Sequence, residues 1–309
     1  MDNFRLNVDI SKKIAFFMLT FLIVTQSAAS GSVKQQKLTA IGGGTFDRFG
    51  WAVSISADGN TMAVGAPFRD IVKNTDQGSV CVFSRTAKKW VQEKELTASD
   101  GLTLDRFGWA VSVNRDGNIL VVGAPYVNVG GRSEQGAAYV FVRKERRWIQ
   151  EAKLLAPDGA AGDRFGWSVL IDGIGERIVI GAPLATIGRK SEQGAVHEFV
   201  RNNGQWMWKY KLTISDGAVD DHFGHSVSIS GAVGLVAAGA PEYNNGRNTS
   251  QGAVYMLSAS PFFALTERQW IAALAAAAAT LWFVYYTRNK RRSLRAKPNS
   301  ASSAQRGPV

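Results

Sequence analysis

The amino-acid sequence predicts an all-β fold, a β-propeller of four-stranded blades, and three observations carry that prediction. A Phe-Gly pair falls at Phe49, Phe107, Phe165 and Phe223, and a Gly-Ala-Pro triplet starts at Gly65, Gly123, Gly181 and Gly239. A Gln-Gly pair falls at Gln77, Gln135, Gln193 and Gln251, so that all three markers recur every 58 residues with no insertion. A fixed period of this length marks a repeat architecture, in which each unit buries its apolar face by stacking on the next. Within each repeat, turn residues separate four short segments, and a twisted four-stranded sheet with a protected outer edge is a propeller blade.

In chain order, residues 1–29 read as a secretory signal peptide. Lys12 and Lys13 precede the apolar run 14–24, and the small residues Ser27, Ala28 and Ala29 follow as a cleavage site. The run is too short to span a bilayer, which takes about 20 residues. Residues 32–258 hold the repeats. In the second repeat, strands are expected over 107–113 and 119–122, then over 137–142 and 148–154. Asp116-Gly117 supplies the first hairpin turn, and residues 130–136, with three glycines, a longer loop. The second strand is apolar on both faces, whereas the fourth is rich in Gln, Glu and Lys, as an edge that must not pair with strangers.

Leu38-Thr39-Ala40 stands in phase with Leu96-Thr97-Ala98, so a fourth strand is expected to open the domain over residues 33–40. The chain correspondingly stops after the third strand of its last set, and the leading strand is expected to complete that blade and close a four-blade ring. A homodimer that exchanges the leading strand satisfies the same edges.

Residues 259–269 are expected to form a juxtamembrane linker, 270–287 a transmembrane helix and 288–309 a basic cytoplasmic tail. Ile271 to Tyr286 is uncharged, begins after Trp270, ends at Tyr285-Tyr286, and is followed by Arg288, Lys290, Arg291 and Arg292. The formal charge of +11 does not indicate nucleic acid, because residues 288–309 carry seven Lys or Arg and no acid, leaving the repeats close to balance. Cys81 is the only cysteine, which excludes an internal disulfide.

The combination of Phe-Gly-x-(Ala/Ser)-Val, Gly-Ala-Pro and Gly-Ala-Val-Tyr resembles the FG-GAP repeats that build the β-propeller of integrin α-subunits and related surface proteins. The resemblance covers residues 38–257. It implies a propeller ectodomain that binds partners outside the cell. The calcium loops of that family are degenerate here: SADGN, NRDGN, IDGIGE and SGAVG offer too few carboxylates for an ion that takes six to eight oxygen ligands. Asp58 and Asp116 are therefore read as turn residues, and no cofactor is expected.

Other candidates for chemistry are sparse. His197 shares its strand position with Cys81, Tyr139 and Tyr255 and reads as a face residue. His222 and His225, in the run DDHFGH with Asp220 and Asp221, have the ligand types for a transition metal; sequence drift in a terminal blade accounts for them equally well. The acid pairs before each Phe-Gly (Asp100 and Asp105, Asp158 and Asp163, Asp216 and Asp220) recur around the repeats, as blade-to-blade turns do and a catalytic pair does not.

These readings converge on a single-pass membrane protein, a recognition or adhesion module with no catalytic, cofactor or metal site. Its propeller is expected to face the cell exterior or the secretory lumen and to bind a protein or glycan, with the C-terminus cytoplasmic. The alternatives are a propeller enzyme acting on extracellular glycans and an accessory subunit of a membrane complex. The unbroken spacing favours recognition, since a unique active site usually demands one unusual loop. Asn248, in the only Asn-x-Ser/Thr sequon, lies in a loop and is expected to carry a glycan.

Overall fold

The computed structural model describes residues 35–258 apart from Lys88 and residues 231–233. The expected signal peptide, juxtamembrane linker, transmembrane helix and tail lie outside the described residues. Among the described residues, no helix is long and apolar enough to cross a membrane.

The chain folds into four antiparallel sheets, each hydrogen-bonded in chain order. The first holds β1 (Val53–Ile55), β2 (Thr61–Ala66), β3 (Ser79–Thr86) and β4 (Lys89–Leu96). The second holds β5 (Ala110–Val113), β6 (Ile119–Ala124), β7 (Ala137–Lys144) and β8 (Arg147–Leu154). The third holds β9 (Ser168–Ile171), β10 (Arg177–Ala182), β11 (Ala195–Asn202) and β12 (Gln205–Leu212). The fourth has three strands among the described residues, β13 (Ser226–Ser230), β14 (Leu235–Ala240) and β15 (Ala253–Ser258). All four lie in the compact unit that begins at Ala40. The sheets are blades of a propeller array: β1 packs on β5, β5 on β9 and β9 on β13, so the first strand of each blade is innermost.

The sequence pattern explains these placements. Every residue of β6 is buried, as its doubly apolar pattern requires, while β8 along the outer edge is exposed or half-buried at every position before Leu154. The two outer strands of each complete blade carry one bulge, after Val82, Val140 and Glu198, which twists the edge away from foreign strands. Across the rim, Arg143 Nη2 lies 2.7 Å from Glu93 Oε2 and Arg201 Nη2 lies 2.7 Å from Glu151 Oε1, each pair linking neighbouring blades.

Two expectations are corrected. The inner strand starts at Ala110 rather than Phe107, because residues 106–109 form a turn, with positive φ at Arg106 and Gly108. The leading strand over 33–40 is not formed in its described part, since residues 35–40 carry no strand. The matched triplet marks where a strand ends: β4 stops at Leu96, and Thr97-Ala98 already belong to the connection into the next blade. Ile41 N accordingly donates to Gln92 Oε1 at 2.8 Å, as Ser99 N does to Gln150 Oε1 at 2.9 Å at the start of the second blade.

The core is divided among the joints between blades. One cluster gathers Val80, Val82 and Leu96 with Phe107, Leu120 and Tyr139; a second gathers Val140 and Leu154 with Phe165, Ile178 and Phe199; a third gathers Val196 and Ile214 with Phe223 and Val236. At each joint a backbone plug enters a backbone socket. The amide of Phe107 donates to Gln77 O at 2.8 Å, and those of Phe165 and Phe223 donate to Gln135 O and Gln193 O at 2.9 Å. The plug comes so close that a Cβ on Gly65, Gly123 or Gly181 would lie 2.1, 1.9 and 1.9 Å from the carbonyl oxygen of Gly108, Gly166 and Gly224. Only hydrogen fits there.

This geometry predicts a steep difference between glycines. Gly123→Ala places its methyl 1.9 Å from Gly166 O and should cost about 3 kcal/mol or more, read as a lower urea midpoint. Gly188→Ala, with φ of +65° but nothing within 4 Å, should cost only the backbone strain, about 1–2 kcal/mol. Equal midpoints for the two variants would show that the joint is not held by close backbone approach.

Candidate functional site

Each Phe-Gly turn also sets the residues at one mouth of the array. Arg48, Arg106, Arg164 and His222 have φ of 52°, 53°, 59° and 54°, a left-handed conformation that non-glycine residues rarely adopt. In each turn the residue three further on donates its amide back: Trp51, Trp109, Trp167 and His225 to Arg48, Arg106, Arg164 and His222 respectively, at 3.1–3.2 Å. The chain then reverses into the innermost strand, and the Trp side chain stands at the strand's entrance.

Repetition converts single side chains into a ladder. The rings of Trp51 and Trp109 are 4.8 Å apart, those of Trp109 and Trp167 also 4.8 Å, and His225 continues the row 5.6 Å from Trp167. Phe68 and Tyr126, which follow the Gly-Ala-Pro triplets, form a second row. The Arg106 guanidinium sits between them, 4.8 Å from the Phe68 centroid and 4.2 Å from that of Tyr126. Arg48 covers Phe68 at 4.9 Å, and Arg164 covers Tyr126 at 3.9 Å. The result is a partly exposed surface of flat rings and guanidinium groups spanning three blades. Cation–π contacts of about 0.5–2 kcal/mol each hold the long arginines in place.

The surface changes character at the last joint. Leu184 and Glu242 occupy the places of Phe68 and Tyr126, and His222 replaces the arginine and meets Glu192 at 3.0 Å. Glu192, Asp220, His222 and Glu242 line an open cavity of about 660 Å³. The mouth thus runs from a cationic, aromatic end to an acidic one.

The residues singled out in the sequence fall elsewhere. His222 and His225 are engaged separately, one with Glu192 and the other with Trp167. Among the described residues, no group of three or more His, Cys, Asp or Glu is placed to hold a metal ion. Burial, followed by the neighbouring His222, holds His225 below its usual pKa. Asp105 and Asp163 are buried and accept the amides of Leu102 and Ala160 at 2.7 and 2.8 Å; burial raises their pKa values. In the last repeat this place belongs to Asp221, which accepts Ala218 N at 2.6 Å, and not to Asp220, which lines the cavity. Asp100 receives Tyr139 Oη at 3.0 Å and Lys153 Nζ at 2.6 Å. Asp158 receives Lys211 Nζ at 2.8 Å, and Asp216 receives Tyr255 Oη at 3.1 Å. Burial would raise Asp100 and Asp158, but the bonds from their partners outweigh it and leave both below the usual range.

The first three hairpin turns are capped from one phase position, held by Ser56, Asn114 and Asp172. Asn114 Oδ1 accepts the amides of Asn118 and Ile119 at 3.0 Å, and Asp172 Oδ1 accepts those of Gly175 and Glu176 at 2.8 and 2.9 Å. Asp58 adds a bond from Asn60 N at 3.0 Å in the first repeat; Asp116 is exposed on its turn. Asn248 is exposed in the turn bridged by Asn245 and Asn248. The tryptophans and arginines of the mouth were missed as a site. Their signal was present, because Arg precedes and Trp follows each of the first three Phe-Gly pairs, yet a repeated aromatic reads as core until the turn geometry turns it outward.

His197 is a core residue, 1% exposed, its ring 5.3 Å from that of Phe165 and its Nδ1 accepting Trp208 Nε1 at 3.2 Å. Burial pushes its pKa down to about 4, with Lys211 adding to the shift and Asp158 opposing it. The unfolded chain therefore protonates first, near pH 6.5, and stability present above that value is lost as pH falls toward 4. At about 1.4 kcal/mol per unit the loss is on the order of 3 kcal/mol. His197→Tyr, which restores the residue found at position 139, should flatten thermal stability across that window; an unchanged pH slope would assign the acid sensitivity to other groups.

Comparison with known proteins agrees with this geometry. The chain is 29% identical to integrin alpha-X of Homo sapiens over 147 residues, which is 45% of this chain and 12% of that protein. It is 35% identical to integrin alpha-M of Mus musculus over 97 residues, 29% of this chain and 8% of that protein. The matched region is thus a small part of either relative. Residues 33–83, 90–141, 148–199 and 206–257 each match the FG-GAP repeat, at the period of the blades but offset from them by one strand, and the chain belongs to the FG-GAP repeat family.

Proposed function

We propose that this chain is a single-pass membrane protein whose FG-GAP array binds an extracellular or lumenal protein or glycan at the mouth lined by Trp51, Trp109 and Trp167. The observation that carries the reading is the ladder itself, three indoles 4.8 Å apart with arginines stacked over the adjoining row of rings. Flat π faces take sugar rings or aromatic and aliphatic side chains, and guanidinium groups take carboxylates or sulfates in bidentate pairs. A ligand with an apolar face and anionic groups therefore suits the first three blades. The acidic cavity at Glu192 and Glu242 disfavours extending that anionic ligand across the last joint. The reading is non-enzymatic: the carboxylates that recur at the joints are spent on loop amides, tyrosines and lysines.

Binding tests the mouth directly. On a panel of immobilised glycans and cell-surface proteins, full-length protein in detergent should retain at least one ligand, and Trp109→Ala should weaken it tenfold or more, a loss of about 1.4 kcal/mol. Arg106→Gln should weaken anionic ligands selectively. Ligand binding untouched by both changes would remove the mouth from the function, and turnover of a glycan by the same preparation would favour the enzyme reading.

Topology is tested separately. In a eukaryotic host, Asn248 should acquire an endoglycosidase-sensitive glycan that Asn248→Gln removes, while a tag after Val309 stays protected from protease on intact cells. A digested C-terminal tag would invert the proposed orientation.

A further inference from the structure

The four blades make three joints, and each end of the array is left with half of a fourth. At the start, the plug is complete: Asp47 Oδ2 accepts Gly44 N at 2.6 Å, and Arg48 has the same left-handed turn as its counterparts. Among the described residues, nothing covers it. Val53 and Ile55 are 59% and 54% exposed, whereas their counterparts Val169 and Ile171 at an internal joint are 7% and 4% exposed.

At the other end the socket is complete and uncovered. Val254 and Met256 are 72% and 61% exposed, whereas Val80 and Val82 in the same phase are fully buried. Gln251 is exposed, while Gln77, Gln135 and Gln193 are buried against Gly101, Gly159 and Gly217 of the following connection. Gly239 is the most telling residue. Gly65, Gly123 and Gly181 are required because a plug carbonyl fills the space of a side chain, but a Cβ on Gly239 would meet only Ser226 of its own blade. Its φ imposes no need for glycine either. Among the described residues, no plug carbonyl fills the slot at Gly239.

We infer that two copies of this chain dock head to tail, each first-blade plug entering the other copy's last-blade socket, to close a ring of eight blades. The two surfaces are complementary because they repeat the surfaces already mated at the three internal joints. Among the described residues, both are uncovered at once. A heterologous contact closes only if its rotation returns to the start, and propellers typically hold four to eight blades. Two arcs of four meet that limit. The expected contacts follow by phase: Phe49 N to Gln251 O, Arg48 N to Ser250 O and Phe46 N to Thr249 O, matching Phe107 to Gln77, Arg106 to Asp76 and Leu104 to Thr75. This docking exchanges no strand and does not depend on what the mouth binds. Asn248 stands where Asn74 reaches Gly101 O at 3.2 Å across a joint, so a glycan there holds the faces apart and docked copies carry Asn248 bare.

Thiol cross-linking on the full chain in detergent tests the proposal. At internal joints the corresponding side chains touch, Arg164 and Glu134 at 2.5 Å and His222 and Glu192 at 3.0 Å, so Glu134→Cys with Arg164→Cys serves as the intrachain control. Arg48→Cys with Ser250→Cys, treated with a short bis-maleimide, should give a covalent dimer and nothing larger. Cys81 is buried, its thiol pushed up to about 12 by burial, and does not compete. Ser250→Cys also removes the sequon. Gly239→Ala should weaken dimerisation at least tenfold by light scattering while leaving the circular dichroism of the chain unchanged. A monomer cross-linked within itself, a ladder of multimers, the absence of any product when the control reacts, or a Gly239→Ala dimer as tight as the original would each overturn the two-copy ring.

Discussion

The architecture depends on one close approach: a carbonyl oxygen of each Phe-Gly turn occupies the space where the preceding blade's glycine has no side chain. Hydrophobic burial between sheets is nondirectional and tolerates sliding. A backbone plug seated against Gly65, Gly123 or Gly181 does not. It fixes the offset of one blade on the next, and the amide of the phenylalanine in the same turn locks that offset with a short bond to the Gln carbonyl. Phe107, Phe165 and Phe223 are fully buried as a consequence, each packed edge-on against aromatic or imidazole rings of its own blade.

The same turn links fold to function. Left-handed arginines cost roughly 1 kcal/mol or more apiece, and the joint offsets that cost by burying the residue that follows. Because the turn is stamped out at each blade, the tryptophan three residues on lands at the same height on the innermost strand every time. A row of indoles at one spacing is thus a by-product of the joint. This surface of rings needs no dedicated loop, in keeping with the unbroken length of the repeats.

Much of this was legible in the sequence, for physical reasons. A segment such as Ile119–Ala124 must be covered on both faces, and the Gln, Glu and Lys of Arg147–Leu154 must reach water, so the order of strands within a blade follows from composition. The leading strand was misread because Leu38-Thr39-Ala40 matches the exit of a strand, where the pattern is strongest, rather than its body. The mouth was harder. Trp51, Trp109 and Trp167 have the spacing of core residues, and only the sign of φ at the arginines sends them outward. Asp220 was taken for a member of the joint because it lies beside Asp221, and adjacent identical residues cannot be phased without the loop that one of them caps. Asp58 and Asp116 stand in the hairpin turns as read, while the buried caps are Asn114 in the second repeat and, in the third, the Asp172 of the Asp-Gly pair itself.

The division of the core into one cluster per joint has a consequence for how the molecule comes apart. Each interior blade shares two clusters, and each terminal blade only one, so cooperativity runs between nearest neighbours rather than through a common centre. In an undocked copy, opening is expected to begin at the two uncovered ends and spread inward. Amides in the central strands of the two interior blades, β6, β7, β10 and β11, are therefore expected to exchange more slowly than those of β1 and β15. An undocked chain built this way is expected to lose order around Trp51 at one end and His225 at the other before its middle is disturbed.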